Sequence, residues 1–196
     1  MKILCFIYTL LFGLTVHGQQ TVRYTLTHTP NSNNIEVAIN FEPMKAEEVY
    51  LIVPRSAPGT YSLTNYMAFV EQVVGTSTNG TMAKGTIGDG SFFTFEAEGE
   101  LLSQVSYRID LEKMETQLLD GGASSKSRTN YVGLLGYSVF GFVEALEGNP
   151  IELTLKTAPS WPIFSTLAPT LDRPKGSASF QVGNFGVLAD GQYTLG

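Results

Sequence analysis

Six stretches of this chain alternate apolar and polar residues with a period of two: TVRYTLTH (21–28), IEVAINFE (35–42), EEVYLIVP (47–54), SFFTFEAE (91–98), QVSYRIDLE (104–112) and IELTLKT (151–157). Successive side chains of a strand point to opposite faces, so this period commits each stretch to one buried and one wet face of a sheet. β-Branched and aromatic residues fill many of the apolar positions, which favours pleated backbone over helix. Turn-forming residues separate the runs at Pro30-Asn31-Ser32-Asn33-Asn34, Asp89-Gly90 and Gly148-Asn149-Pro150. Asp-Gly in particular suits a tight hairpin. No long stretch keeps a helical period, and Leu101-Leu102 and Glu112–Leu119 admit a helical turn at most. The expected fold class is all-β: an antiparallel two-sheet β-sandwich or saddle-like domain.

Two regions need separate treatment. YVGLLGYSVFGFVEAL (131–146) is almost wholly apolar. It is too short to span a bilayer comfortably, and it carries Glu144 and three glycines, so it reads as a pair of buried strands joined through glycine. GTSTNGTMAKGTIGDG (75–90) is short and rich in small polar residues, and reads as a mobile loop or hairpin rather than a domain linker.

The first residues have a different character. MKILCFIYTLLFGLTVHGQQ carries one early cation, Lys2, then an apolar run to Val16 and small residues before Gln19. This is the pattern of a signal peptide over residues 1–18, with Val16 and Gly18 at the cleavage site, and it predicts a secreted or periplasmic protein with no membrane attachment after cleavage. Cys5, the single cysteine, would leave with that segment. The mature domain is then held without disulfides or cysteine ligands. Removing Lys2 takes the formal charge from −6 to −7, which argues against nucleic acid as a partner.

The catalytic inventory is thin. Of the two histidines only His28 lies beyond the signal segment, and the alternation suggests a surface strand residue. One histidine without cysteine cannot build the usual zinc sites of nitrogen and sulfur donors, and no His-Glu-x-x-His, G-x-S-x-G or Walker motif is present. Glu96 and Glu98 share a strand face and could suggest calcium, although a solvated acidic edge explains them as well. GGASSKSRTN (121–130) reads as a flexible polar loop that could at most receive an anion, and Asn79-Gly80-Thr81 fits a glycosylation sequon. No catalytic residue and no metal ligand is assigned within the chain.

The stretch VPRSAPGTYSLTNYMAFV (53–70) breaks a strand with two prolines and a glycine, then returns rich in aromatics. Pro54 ends the ladder, and Pro58-Gly59 suits a type II turn that fixes the chain's direction. Tyr61, Tyr66 and Phe69 can then anchor the corner in the core while tyrosine hydroxyls reach its rim. Trp161, between Pro159 and Pro162, sits on a similarly restrained chain. Arg55, Pro58, Gly59, Tyr61, Tyr66 and Trp161 are therefore the candidate residues for an interface or a substrate cleft.

Taken in order, Val53-Pro54 with Ala57-Pro58-Gly59-Thr60-Tyr61, then Tyr137–Glu144, then Ala158-Pro159-Ser160-Trp161 with Ser165-Thr166-Leu167, resemble the N-terminal domain of the glycyl aminopeptidase family of zinc metallopeptidases (metallopeptidase family sixty-one). Arg55 stands where that pattern has an aromatic, and Thr64-Asn65 where it often has an arginine and an acid. The resemblance implies a non-catalytic β-domain over 19–174, with 175–196 as a linker and the start of a thermolysin-like catalytic domain. It also implies that zinc is held in that downstream domain, with none in this chain, and that peptide substrate is met through the full-length enzyme. A free-standing exported β-sandwich binding carbohydrate or protein is the alternative.

Overall fold

A computed structural model describes residues 20–56, 63–88, 91–118, 124–167 and 174–196; the expected signal segment, Asp89-Gly90 and the centre of the Pro-Gly corner lie outside them. The first half of the chain forms β1 (Val22–His28), β2 (Asn34–Lys45), β3 (Leu51–Ile52), β4 (Val70–Ser77), β5 (Met82–Ile87), β6 (Phe92–Phe95) and β7 (Leu101–Asp110). After helix α1 (Leu111–Gln117) come β8 (Lys126–Arg128), β9 (Tyr131–Leu135), the single helical turn α2 (Gly136–Val139) and β10 (Phe142–Val143). The remainder forms β11 (Ile151–Lys156), β12 (Ile163–Ser165), β13 (Ser177–Val182), α3 (Phe185–Asp190) and β14 (Gln192–Leu195).

The strands make two sheets, one of ten in the order β10-β3-β6-β5-β4-β7-β2-β1-β11-β13 and one of four in the order β12-β14-β9-β8. The all-β two-sheet expectation holds. All pairs are antiparallel except β1 with β11, which run parallel with Val22 opposite Ile151. Leu101-Leu102 begins strand β7, whereas the other helical option is realised as α1, capped by the Asp110 side chain accepting from Lys113 N–H at 2.9 Å. Of the stretch 75–90, residues 75–87 fall in the β4–β5 hairpin, turned at Asn79-Gly80, where Gly80 takes φ +87°. Asn79 closes that turn: its Oδ1 accepts from Ser77 Oγ and Thr81 N–H, and its Nδ2 donates to Glu100.

Alternation decides what is buried. Val22, Tyr24, Leu26 and His28 face inward, as do Ile35, Val37 and Ile39 of β2 and Val105, Tyr107 and Ile109 of β7. His28 is thus a core residue at 2% exposure, not a surface one, because it shares parity with three apolar neighbours. The small sheet meets this face with Val132, Leu134, Ile163, Tyr193 and Leu195. Phe140 joins the layers, edge-on to Tyr24 of the large sheet (6.0 Å, 82°) and to Tyr193 of the small one (5.6 Å, 81°).

The apolar stretch 131–146 contains a helical turn between its strands, in place of the expected direct strand-to-strand link. The boundary expected near residue 174 falls inside the fold. β13 pairs with β11 along its whole length, and β14 lies between β12 and β9, because Ala178, Val182, Leu188, Tyr193 and Leu195 are all needed to complete the core.

In the core, Phe140 N–H still closes α2 on Gly136 C=O (2.8 Å), and tyrosines supply partners to the groups on either side. Tyr107 Oη donates to Val139 C=O (3.1 Å) and accepts from Gly141 N–H (2.7 Å), while Tyr24 Oη donates to Gly141 C=O (3.1 Å). A buried polar group left unpaired costs about 1–3 kcal/mol. Tyr107→Phe strands two such groups and is expected to destabilise by about 2–4 kcal/mol, read as a fall in the urea midpoint with an unchanged slope. Gly136 has a different constraint, because an added Cβ would press into the carbonyl oxygens of Leu188, Ala189 and Gly191. Gly136→Ala is expected to cost at least the roughly 1–3 kcal/mol typical of overpacking, measured in the same way.

Candidate functional site

The Pro-Gly corner is held at its base by a hydrogen bond from Thr64 N–H to Arg55 C=O at 2.7 Å. Pro58, Gly59 and Tyr61 lie outside the described residues. Arg55 is exposed and donates to Ser91 Oγ at 3.3 Å. Beyond the corner, residues 66–69 make one 3-10 turn that buries Tyr66, Met67 and Phe69. Tyr66 is 2% exposed and packs on Tyr137 of α2, with ring centroids 5.8 Å apart at 60°. Burial raises the pKa of its phenol, while the hydrogen bond with the Thr64 side chain works against that. Tyr66 therefore anchors the corner, and Arg55 and Leu63, the latter 73% exposed, are among the described residues it presents to solvent.

Trp161 has different neighbours. It is half-buried and stacks on His28 at 5.4 Å and 30°. The register that sets Thr27 opposite Lys156 brings His28 level with Thr157. His28 Nε2 lies 3.3 Å from Ser32 C=O, whereas its Nδ1 and the Thr157 Oγ1 are buried without partners. Desolvation lowers the pKa of this imidazole from its ordinary value of 6.5, partly offset by the Ser32 carbonyl. The pair closes the end of β1 against the loop leading into β12.

The remaining candidates disperse. Glu96 and Glu98 are exposed beside Glu47, and among the described residues no three His, Cys, Asp or Glu side chains gather as a metal site would require. Lys126–Arg128, expected in a flexible polar loop, is strand β8. Ser124 and Ser125 before it are buried. Ser125 Oγ meets Ser138 Oγ at 2.6 Å and accepts from Leu135 N–H, and Ser138 Oγ donates to Leu135 C=O. Arg128 is already engaged in a two-pronged pair with Glu115 (2.6 and 2.5 Å), whose carboxyl pKa it lowers. Sequence reading missed the Tyr24–Tyr107 pair and these serines. The available signal was a tyrosine at an inward position of an otherwise aliphatic rank, since a buried phenol usually has a backbone group to satisfy.

The profile of the Peptidase M61 N-terminal domain matches residues 23–191. No curated protein matches the chain. Among solved structures, the chain is similar to the crystal structure of an aminopeptidase N family protein from Idiomarina loihiensis, with a TM-score of 0.73 and 17% identity. The alignment covers 90% of this chain and 29% of that one. Likeness at this identity shows the fold, and the chain spans well under half the length of that protein.

The His28–Trp161 stack gives a pH dependence of definite sign. A histidine whose folded pKa lies below 6.5 binds fewer protons in the native than in the unfolded state, so the stability it contributes is complete above 6.5 and is lost as pH falls through the folded pKa. As pH falls below 6.5 the melting temperature is expected to decline, and the fluorescence of Trp161, the single tryptophan, to change around the lower pKa of the folded state. His28→Phe should flatten both profiles.

Proposed function

Because the chain belongs to the Peptidase M61 N-terminal domain family, we propose that it is the non-catalytic β-domain of a secreted or periplasmic zinc aminopeptidase of the glycyl aminopeptidase type. It packs on a thermolysin-like catalytic domain and forms part of the wall of the substrate cleft. The observation that carries this reading is the family match, which runs from β1 into the end of α3 and so takes in nearly the whole described fold.

The side chains present support the non-catalytic half of the proposal. A hydrolytic zinc needs three convergent protein ligands and an open position for water. His28 is enclosed between Trp161 and Ser32, and the described carboxylates do not gather around a common point. The described residues do not fit the metal, and the zinc of such an enzyme belongs to a catalytic domain. No helix among the described residues is long and apolar enough to cross a membrane.

The exposed apolar side chains support the packing half. Leu63 at the corner, Phe164 and Tyr131 on the small sheet and Val187 on α3 are 73%, 39%, 38% and 49% exposed. Packing against a second domain would take these side chains out of water. Arg55 and Leu63 at the corner are the residues proposed to border the cleft, with Tyr66 holding the corner in place from beneath.

Two measurements test this. The 19–196 protein is expected to leave glycyl and alanyl p-nitroanilides intact with zinc added, and chelator-sensitive hydrolysis would overturn the reading. Sedimentation velocity is expected to show association that rises with concentration; a monomer throughout would count against a surface built for a second domain.

A further inference from the structure

The outward face of the ten-stranded sheet is ordered in transverse rows set by strand register. One row runs Thr27, Glu36, Arg108 and Glu71 across β1, β2, β7 and β4. The next runs Thr25, Ala38, Ser106 and Val74. The short side chains of the second row leave a groove of about 300 Å³, lined by Thr25, Thr27, Glu36, Ser106, Arg108 and Gln72 among others. Gln72 reaches it through a bulge. The β4–β7 register shifts between Glu71 and Val74, and Gln72 adopts φ +53°, left-handed backbone that a non-glycine residue takes only at a cost. The shift turns Gln72 outward beside Glu71 and returns Val73 to the core.

The polar groups around this groove are unspent. Elsewhere on the same face side chains satisfy one another: Gln104 with Asn40 at 2.8 Å, Arg23 with Glu152 at 3.6 Å, Thr154 with Ser179 at 3.2 Å. In the groove, the side chains of Thr25, Thr27, Glu36, Gln72 and Ser106 make no hydrogen bond within the described residues. Arg108 stands 3.6 Å from Glu71, and its Nε is buried without a partner. A buried N–H lacking an acceptor is costly.

Charge and shape select among ligands. An anion drawn to Arg108 would meet Glu36 and Glu71 on either side of it in the row, and a cation would meet Arg108 itself. A peptide needs recesses for side chains, and the apolar part of the lining is confined to Ala38, Val74 and neighbouring backbone. Hydroxyls, an amide, a carboxylate and a guanidinium N–H present donors and acceptors together. Their spacing is about 5 Å across strands and about 7 Å along them, comparable to the span of a sugar ring. We infer that this groove binds a neutral saccharide of one or two rings.

The isotopically labelled chain can be titrated with maltose, cellobiose and N,N′-diacetylchitobiose, with triglycine as the peptide comparison, following backbone amide resonances. At least one disaccharide is expected to shift the amides of Thr25, Gln72 and Ser106 at millimolar concentration. Ser106→Leu, which fills the groove, should abolish the shifts, and Thr25→Val, which removes one hydroxyl, should weaken binding about fivefold. Both positions face outward, so thermal melting checks that each variant folds; if Ser106→Leu does not, Thr25→Val decides. The proposal is overturned if none of the three sugars moves these resonances, if Thr25→Val binds as tightly as the parent, or if triglycine moves the same resonances equally.

Discussion

Two phenol oxygens hold this domain together at its weakest point. Between α2 and β10 the chain leaves regular structure while still inside the core, and water cannot reach the peptide groups it exposes there. Tyr107 and Tyr24 satisfy three of them from the floor of the large sheet. Burial raises the pKa of both phenols, so they stay protonated and can donate. In the small sheet Tyr193 adds a local bond, donating to Leu188 C=O, which also accepts from Gly191 N–H. Segment 139–141 is thus fixed over the large sheet by hydrogen bonds aimed through an apolar interior, and its Phe140 ring packs on tyrosines of both layers. Such bonds have narrow geometry, and they fix the position of this segment more sharply than apolar contact alone would.

That arrangement accounts for the behaviour of the corner at 53–70. Tyr66 leans on Tyr137, and Tyr137 belongs to the same short helical turn whose end Tyr107 holds. The corner's return is therefore referenced to the core through this aromatic contact and the buried Met67 and Phe69 beside it. A surface held this way has little ordering left to do on association.

The centre of the large sheet was legible because β1, β2 and β7 are long and half-wet, whereas of the expected strand 47–54 only Leu51–Ile52 pairs and Ala46–Glu48 makes a 3-10 turn. The inward ranks Val22-Tyr24-Leu26, Ile35-Val37-Ile39 and Val105-Tyr107-Ile109 stand in the sequence at every second position. What could not be read was anything that depends on which strand lies beside which. The burial of His28 followed from parity alone and was available, but its stack on Trp161 required knowing that β1 and β11 run side by side. Ser125 and Ser138 look like loop residues until the small sheet folds them together. The same holds for the groove, whose lining comes from four strands that no local pattern aligns. Tyr66, one of the aromatics expected to anchor the corner, is buried against Tyr137.

The parallel pairing of β1 with β11 carries a kinetic consequence. Val22 must wait for Ile151, more than half the chain away, before its second edge is covered. During synthesis the first strand can join β2 early, yet its other side stays open until much later residues emerge. Contacts of such long sequence separation slow folding, and an uncovered edge in the interval invites pairing with the wrong neighbour. Arg23, Thr25 and Thr27 keep the outward face of that waiting strand hydrophilic, which protects the nascent domain from aggregation while its last strands are still being made.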